Sequence, residues 1–463
     1  MKKTLIAASL ALTALLSAAV FADEAKTPEF RYTVGNSLES AQPKIDAKLN
    51  IEQSLELAFA NNPGLINAVN AANESSWSVY GANSAFKPTF DASASHTRMG
   101  KDVSTDNHNT GVGVSAALPL DINKRIGLAA EMARYGFDIR YLSLTNEAQS
   151  LIYNVKNAYY NYLRAEAARE VSEKAVDAAK RLLQETESRY KAGAVPKYDF
   201  TAAQVDAENQ NQGLIRAETN VDLARIAFNN VLGIDPTSAT AVEKVNVDVS
   251  DKIPGLNESI ETAFANSPLM KLAEDDVKLA ETNIKFAKAQ KKPSLALTAG
   301  YNYYFRDYVQ TGSNNVFQAG IMASMPLFER GSIKADIAKA QVNAEDAKTS
   351  MDRMKLNVSS AVQTAVYNMS EAYTRIKSNE ASVSLAEESL RLANIRYRED
   401  IGTLVEVLNA ETLLTTARTN EVNALYDYAV AKAAYEQATA TQPELGSVRL
   451  LDDVIIDRGT DKK

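Results

Sequence analysis

Two apolar spacings alternate along the chain, and each occurs twice. The first has a period of two. Phe90, Ala92 and Ala94 alternate with Asp91, Ser93 and Ser95, and Val112, Val114, Ala116 and Leu118 alternate with Gly111, Gly113, Ser115 and Ala117. Later, Leu295, Leu297, Ala299, Tyr301, Tyr303 and Phe305 share one face, and Phe317, Ala319, Ile321, Ala323 and Met325 share another. Successive strand side chains point to opposite faces, so these runs predict half-buried strands at about 89–98, 110–118, 294–305 and 316–325.

The second spacing has a period of seven. Val358, Val362, Ala365, Met369, Ala372, Ile376, Val383, Ala386, Leu390, Ala393 and Tyr397 follow it, broken only at Asn379. Leu151, Val155, Ala158, Tyr162, Ala165, Val176, Ala179, Leu183 and Tyr190 echo it earlier. A 3.5-residue period marks left-handed coiled-coil packing, and both segments are rich in good helix formers. They predict long helices at about 127–190 and 332–397, the first about 95 Å long at about 1.5 Å per residue. Alanine knobs let helices approach closely, which suits a sheet or cylinder of helices better than a two-stranded coil.

Prolines reveal that one unit is duplicated. Pro63, Pro88, Pro119 and Pro236 recur as Pro268, Pro293, Pro326 and Pro443, at offsets of 205, 205, 207 and 207. Flanking residues agree: Ala58-Phe59-Ala60-Asn61-Asn62-Pro63 matches Ala263-Phe264-Ala265-Asn266-Ser267-Pro268, Lys87-Pro88 matches Lys292-Pro293, and Arg189-Tyr190 matches Arg396-Tyr397. Repeat 1 spans 48–236 and repeat 2 spans 255–443, each ordered short helix, two strands, very long helix, turn, shorter helix. Between them, at 237–254, Val245, Val247 and Val249 alternate with polar residues and predict a short strand.

Strand runs of roughly ten residues match a tilted bilayer crossing. The connecting loops Gly100–Asn109 and Arg306–Asn315 are polar, and Tyr303, Tyr304, Phe305 and Tyr308 crowd one end as an interfacial aromatic girdle would. A soluble sheet packed on the helices is the other reading. Closure favours the membrane: membrane barrels need about eight strands, and three chains of four would supply twelve.

Charge and composition narrow the class. Lys2 and Lys3, an apolar run from Thr4 to Leu16, and Val20-Phe21-Ala22 read as a signal peptide over 1–22. Its removal takes two of the 50 basic residues and none of the 58 acidic ones, moving the net charge from −8 to −10. That argues against a nucleic-acid partner. No later run of 18 apolar residues predicts a membrane-spanning helix. The chain has no cysteine, so neither disulfides nor a cysteine-borne lipid anchor is expected.

Enzyme readings find no support. His96 and His108 lack metal-ligand spacing, so no metal site is expected, and no other cofactor is implied. Gly111-Val112-Gly113 opens no helix, which removes a dinucleotide reading. Lys285, Lys288, Lys291 and Lys292 read as a solvated face near a membrane surface.

These residues resemble the TolC family of outer-membrane efflux and secretion channels, in its non-lipidated branch. The likeness runs from Leu49 to Gln442 and is carried by Leu57 to Pro63, the Lys-Pro strand starts, Arg189-Tyr190-Lys191-Ala192-Gly193 followed by Asp199, and Glu406-Val407-Leu408-Asn409-Ala410. The resemblance implies a mainly α fold with a membrane β part, in which a homotrimer closes a twelve-stranded β-barrel above a twelve-helix periplasmic α-barrel. Residues 23–47, 237–254 and 444–463 would form an equatorial belt. It also implies a passive duct in the outer membrane of a Gram-negative bacterium, serving tripartite efflux or type I secretion. Its partners would be outer-membrane lipid, a periplasmic adaptor protein and an inner-membrane transporter. The alternative is a soluble periplasmic coiled-coil scaffold without channel activity.

The same resemblance places the working residues at two helix turns, 191–197 and 398–403, which form the periplasmic tip. Gly193, Ala194, Val195, Asp400, Gly402 and Thr403 would dock the adaptor. Asp199 and Tyr397 would hold the gate shut by a hydrogen bond. The family's gate arginine falls on Gly402, and Arg398 or Lys197 is the substitute. Glu406 and Asn409 take the places of the acidic ring in the tunnel. Asp400 stands where the first turn has Gly193; either Asp400 takes the left-handed position or Gly402 takes it over, shifting the turn by two residues.

Overall fold

The computed structural model describes residues 48–99, 107–308 and 313–443. The expected signal peptide, the segments 23–47 and 444–463, and the tips of both strand-connecting loops lie outside the described residues. Among the described residues no helix is long and apolar enough to cross a membrane.

Repeat 1 contributes β1 (Lys48–Leu49), α1 (Ile51–Asn61), α2 (Pro63–Ser84), β2 (Thr89–Met99), β3 (Asn107–Leu120), α3 (Arg125–Lys191) and α4 (Lys197–Leu232). After β4 (Ala241–Val242), repeat 2 contributes α5 (Leu256–Asn266), α6 (Pro268–Ala289), β5 (Ser294–Tyr308), β6 (Ser313–Ser324), α7 (Ser332–Arg398) and α8 (Leu404–Ala438). The recurring Asn-Pro and Ser-Pro signatures break the short helix of each repeat in two. Asn62 ends α1, and its side chain caps α2 by accepting from Gly64 and Leu65 at 2.9 and 3.2 Å, with Pro63 at the first helical position, where no N–H is needed.

Helices α3 and α7 are 67 residues each, about 100 Å at the helical rise. Helices α2 and α4 pack along α3, while α6 and α8 fill the space between α3 and α7. Central α3 therefore buries residues on two sides, pairing Leu151 with Ile152 and Tyr162 with Leu163, whereas outer α7 buries mainly one stripe from Val358 through Ile376, with Ala365 and Val366 its one adjacent pair. The seven-residue rhythm of α3 drifts near its end. Leu182 is buried there and Leu183 only half-buried, and Tyr190 is 38 % exposed, stacked on Phe200 at 5.6 Å instead of lying in the seam.

The four long strands form one antiparallel sheet in the order β2-β3-β5-β6. Register aligns their apolar positions: Ala92 faces Val114, which faces Tyr301, which faces Phe317. Asp91, Ser115, Gly300 and Gln318 line up on the opposite face. The sheet stays open in the single chain, with β2 and β6 as edges. Its apolar face is uncovered, with Phe317 72 % and Ile321 70 % exposed.

The inter-repeat segment corrects one expectation. The strand there is Ala241–Val242, paired in parallel with Lys48–Leu49, and Val245 to Val249 form no strand. Val247, Val249 and Ile253 instead pack on Met369, Ile376 and Tyr428. The Tyr428 hydroxyl accepts from Ser250 N at 3.1 Å and reaches Ser250 O at 3.3 Å, satisfying the backbone that a strand partner would otherwise serve. Tyr159 does the same for the short sheet, donating to Glu243 O at 2.7 Å; burial pushes its pKa up to about 12.

Candidate functional site

The end of the helical layer farthest from the sheet holds two hairpin turns side by side, one from each repeat. In the first, α3 ends with Gly193 N donating to Tyr190 O at 2.9 Å and Ala194 N to Arg189 O at 2.9 Å. In the second, Asp400 N reaches Tyr397 O at 3.3 Å and Ile401 N reaches Arg396 O at 3.0 Å, 207 positions on in each case. Both close a helix C-terminus through a left-handed residue: Gly193 has φ +73° and Asp400 has φ +58°. Asp400 thus takes the position itself, and the turn is not shifted to Gly402. Gly402 serves another need, because a Cβ there would lie 2.8 Å from Arg396 Cβ. Thr403 then caps α8 by accepting from Glu406 N at 3.4 Å.

Beneath the turns the hairpins share one core. Leu182 of α3, Ala203 of α4, Ala393 and Tyr397 of α7, and Leu404, Val407 and Ala410 of α8 form a buried cluster. Tyr397 is 4 % exposed, although its repeat counterpart Tyr190 faces outward. The duplicated unit is therefore asymmetric at the tip.

Polar contacts follow the same asymmetry. Arg396 stays within its own hairpin, donating from Nε to Glu406 at 3.2 Å and from its guanidinium to Ile401 O at 3.3 Å. Its counterpart Arg189 crosses to the other hairpin. It ion-pairs with Asp400, donates to Tyr397 O at 3.1 Å, and lays its guanidinium 4.9 Å from the centre of the Tyr397 ring. Arg398 also crosses, reaching Glu185 at 3.5 Å from a side chain that is 66 % exposed.

The contacts within the single chain bear on three of the expected site residues. The Asp199–Tyr397 hydrogen bond is not made within the chain, because the buried Tyr397 hydroxyl has no partner. The ring packs inward under Arg189, and its backbone carbonyl, not its hydroxyl, takes the polar contact. Arg398 pairs with Glu185, not with Asp199. Glu406, with Asn409 on the same exposed face of α8, is held by Arg396, so its charge is locally offset. The docking residues Gly193, Ala194 and Thr403 are exposed, Val195 and Gly402 are partly covered, and Asp400 is engaged by Arg189.

One group was not foreseen. Glu411 on α8 lies against Asp206 on α4 and Arg181 on α3. Burial first, and then the Asp206 carboxylate, push its pKa up to about 7, with Arg181 opposing. Asp206 accepts from Gln210 at 3.2 Å through one oxygen, and its other oxygen is buried without a partner. Glutamate and aspartate on separate helices, far apart in sequence, gave no periodic signal.

Comparison with known proteins places this geometry. The model of the family described as outer membrane efflux protein matches residues 54–234 and 259–441, one block on each repeat. The chain is 24 % identical over 416 residues to outer membrane protein TolC of Escherichia coli (strain K12), covering 85 % of this chain and 83 % of that one. Its fold is similar to that of CusC, with a TM-score of 0.76 at 19 % identity over 84 % of this chain and 91 % of the other. It is equally similar to the outer membrane protein VceC from Vibrio cholerae, with a TM-score of 0.75 at 18 % identity over 84 % and 95 % of the two chains.

Proposed function

The chain belongs to the outer membrane efflux protein family, and on that premise we propose that three copies form a channel-tunnel closed at the hairpin tip. It is an outer-membrane protein of a transport family, which sets aside the soluble scaffold. Trimer, barrel closure and gate are our reading.

The observation that carries the reading is that both flanks of the chain are unfinished. On one side β2 is an open edge, and α4 leaves Val205, Ile215 and Leu223 more than half exposed. On the other side β6 is open, and α7 leaves Leu356 and Leu385 exposed at 72 % and 73 %. Open strand edges and uncovered apolar helix faces demand partners, and a head-to-tail contact repeated around a closed ring supplies both at once. Three chains make twelve strands and twelve helical columns. The apolar sheet face then meets lipid, and the polar face of Asp91, Ser115 and Gln318 lines the lumen.

At the far end the tip is the gate and the docking site. Exposed Tyr198 and Ile401, 69 % and 67 % exposed, flank Ala194 and Thr403 and offer a periplasmic adaptor an apolar footing. An inner-membrane transporter would drive cargo into the duct, and the duct itself supplies no energy. The contacts of Arg189 with Asp400 and Tyr397 hold the two hairpins together, and adaptor binding parts them. Purified protein in mild detergent should have the mass of three chains and conduct ions in a planar bilayer. A monodisperse single chain without conductance would overturn the reading.

A further inference from the structure

We propose that the junction between sheet and helices is a basic collar that binds the anionic headgroups of the lipid leaflet on the helix side. The proposal rests on the outer-membrane placement above. All four strands meet the helices at one end of the sheet, since Thr89 pairs with Ala117, Leu118 with Leu297, and Ser294 with Ser324. Each of the four connections at that end carries exposed cations. Lys87 precedes β2 and Lys124 follows β3. Lys288, Lys291 and Lys292 precede β5, and Arg330 and Lys334 follow β6.

Among the described residues none of these seven side chains forms an ion pair. Along the helices the pattern is different: Lys156, Arg164, Arg375, Arg391 and Arg418 each hold a carboxylate. The acids near the collar do not balance it. Asp121 is spent on the start of α3, accepting from Ile126 and Gly127 at 2.9 and 2.8 Å, which leaves Glu329, Asp336 and, on the polar face of the sheet, Asp91. A chain with a net charge of −8 therefore concentrates unpaired positive charge at one level.

Exposed apolar side chains sit at the same level, next to Lys87 on its helix side and between strand and cation at Lys124 and Arg330. Phe86 precedes Lys87, Ile122 precedes Lys124, and Leu327 and Phe328 precede Arg330, with exposures of 45, 52, 91 and 84 %. An apolar side chain beside a cation is the arrangement that seats residues at a bilayer interface, ring or chain in hydrocarbon and charge among phosphates. Lys124, and Arg330 one residue before Gly331, the repeat counterpart of Lys124, are both held left-handed, at φ +60° and +50°. Side chains so placed keep the charge exposed beside the sheet. The collar continues the uncovered apolar sheet face, so its occupant is the adjoining leaflet and not a soluble protein.

Near an anionic surface each Lys or Arg favours binding by about five-fold, equivalent to about 1 kcal/mol. The test reconstitutes the full chain into nanodiscs of phosphatidylcholine alone or mixed with phosphatidylglycerol, and counts retained lipids by native mass spectrometry. Parent protein should retain phosphatidylglycerol in preference to phosphatidylcholine, with a higher thermal midpoint in the mixed discs and loss of both effects in high salt. Replacing Lys288, Lys291, Lys292 and Lys334 by Gln should abolish the preference, while replacing the same four by Arg should keep it. Lys180→Gln with Lys252→Gln, exposed cations away from the collar, should also keep it. Equal preference in the parent and the four-Gln protein, or none in a parent that inserts normally, would overturn the collar. Failure to enter either bilayer would overturn the membrane placement together with it.

Discussion

Arg189 on α3 and Asp400 in the α7–α8 turn form an ion pair that joins the two repeats across 211 positions. Arg396, the repeat counterpart of Arg189, is instead satisfied inside its own hairpin by Glu406. What Arg189 gains by crossing is the Tyr397 ring and carbonyl. The clasp is lopsided in exposure: the Arg189 side chain is 18 % exposed and that of Asp400 75 %. The ionic part is therefore screened, worth about 0.2–1 kcal/mol, and the stacked guanidinium adds about 0.5–2 kcal/mol.

Arg189→Ala should accordingly loosen the tip more than Asp400→Ala. In planar bilayers both should raise single-channel conductance, Arg189→Ala the more. Exchanging the two charges, Arg189→Asp with Asp400→Arg, should restore little, because the ring and carbonyl contacts need the guanidinium on α3. Full rescue by the exchange would show that charge alone holds the tip.

Tyr397 separates packing from hydrogen bonding. Its hydroxyl is buried and unpartnered, so Tyr397→Phe should leave stability and conductance unchanged or slightly raise stability. Tyr397→Ala empties the shared core and should cost about 3–5 kcal/mol per chain in denaturant melts. A large loss with Phe would place a hydroxyl partner in the assembled tip, and Asp199 would be the first candidate to test by Asp199→Ala.

The Glu411 carboxyl gives the tip a pH dependence with a defined sign. Its pKa rises from 4.5 to about 7 in the folded chain, so folding favours the protonated form. The stability it contributes is complete below pH 4.5 and is lost as the pH rises to about 7. Glu411→Gln should flatten that part of the stability–pH curve and stabilise the protein above pH 7. Thermal melts across this range would read the slope, and an unchanged slope in the variant would assign the dependence elsewhere.

The sheet faces predict a sharp contrast between neighbours. Leu297 and Ile321 are paired on the apolar face, so Arg at either should block insertion, at about 2–4 kcal/mol near the bilayer midplane. Thr298 pairs with Gly320 on the other face, and Thr298→Arg should insert normally. Outer-membrane fractionation of the three variants reads this directly. Equal loss at Leu297 and Thr298 would reject the assignment of faces.

Gly402 and Gly193 should respond to alanine for different reasons. Gly193→Ala meets open space but forces a left-handed φ, costing about 1–2 kcal/mol. Gly402→Ala has no φ problem and instead drives its Cβ into Arg396, displacing the side chain that holds Glu406. Only the Gly402 variant should change ion selectivity as well as stability, since only there is the Glu406 charge released.

The sequence by itself determined what is local and periodic. The 207-residue spacing of Arg189 and Arg396, the alternation through Val112 to Leu118, and the heptads from Val358 to Ile376 each impose one face on one element, because side-chain direction repeats every two or 3.6 residues. It also located both turns, and it named Asp400 as a left-handed candidate beside Gly402. Tertiary structure alone decided which equivalent residues would behave differently. Tyr190 and Tyr397 each follow an arginine and precede another basic residue, yet one stacks outward on Phe200 and the other is buried under Arg189. Val245 to Val249 alternate like a strand and lie instead against Tyr428 and Met369, since a strand forms only where a partner edge is free. The Glu411 pKa is pushed up to about 7 first because the packed helices exclude water and then because α4 brings Asp206 to it. Such pairings depend on which helices lie side by side, and two copies of one unit cannot occupy identical surroundings once they pack against each other.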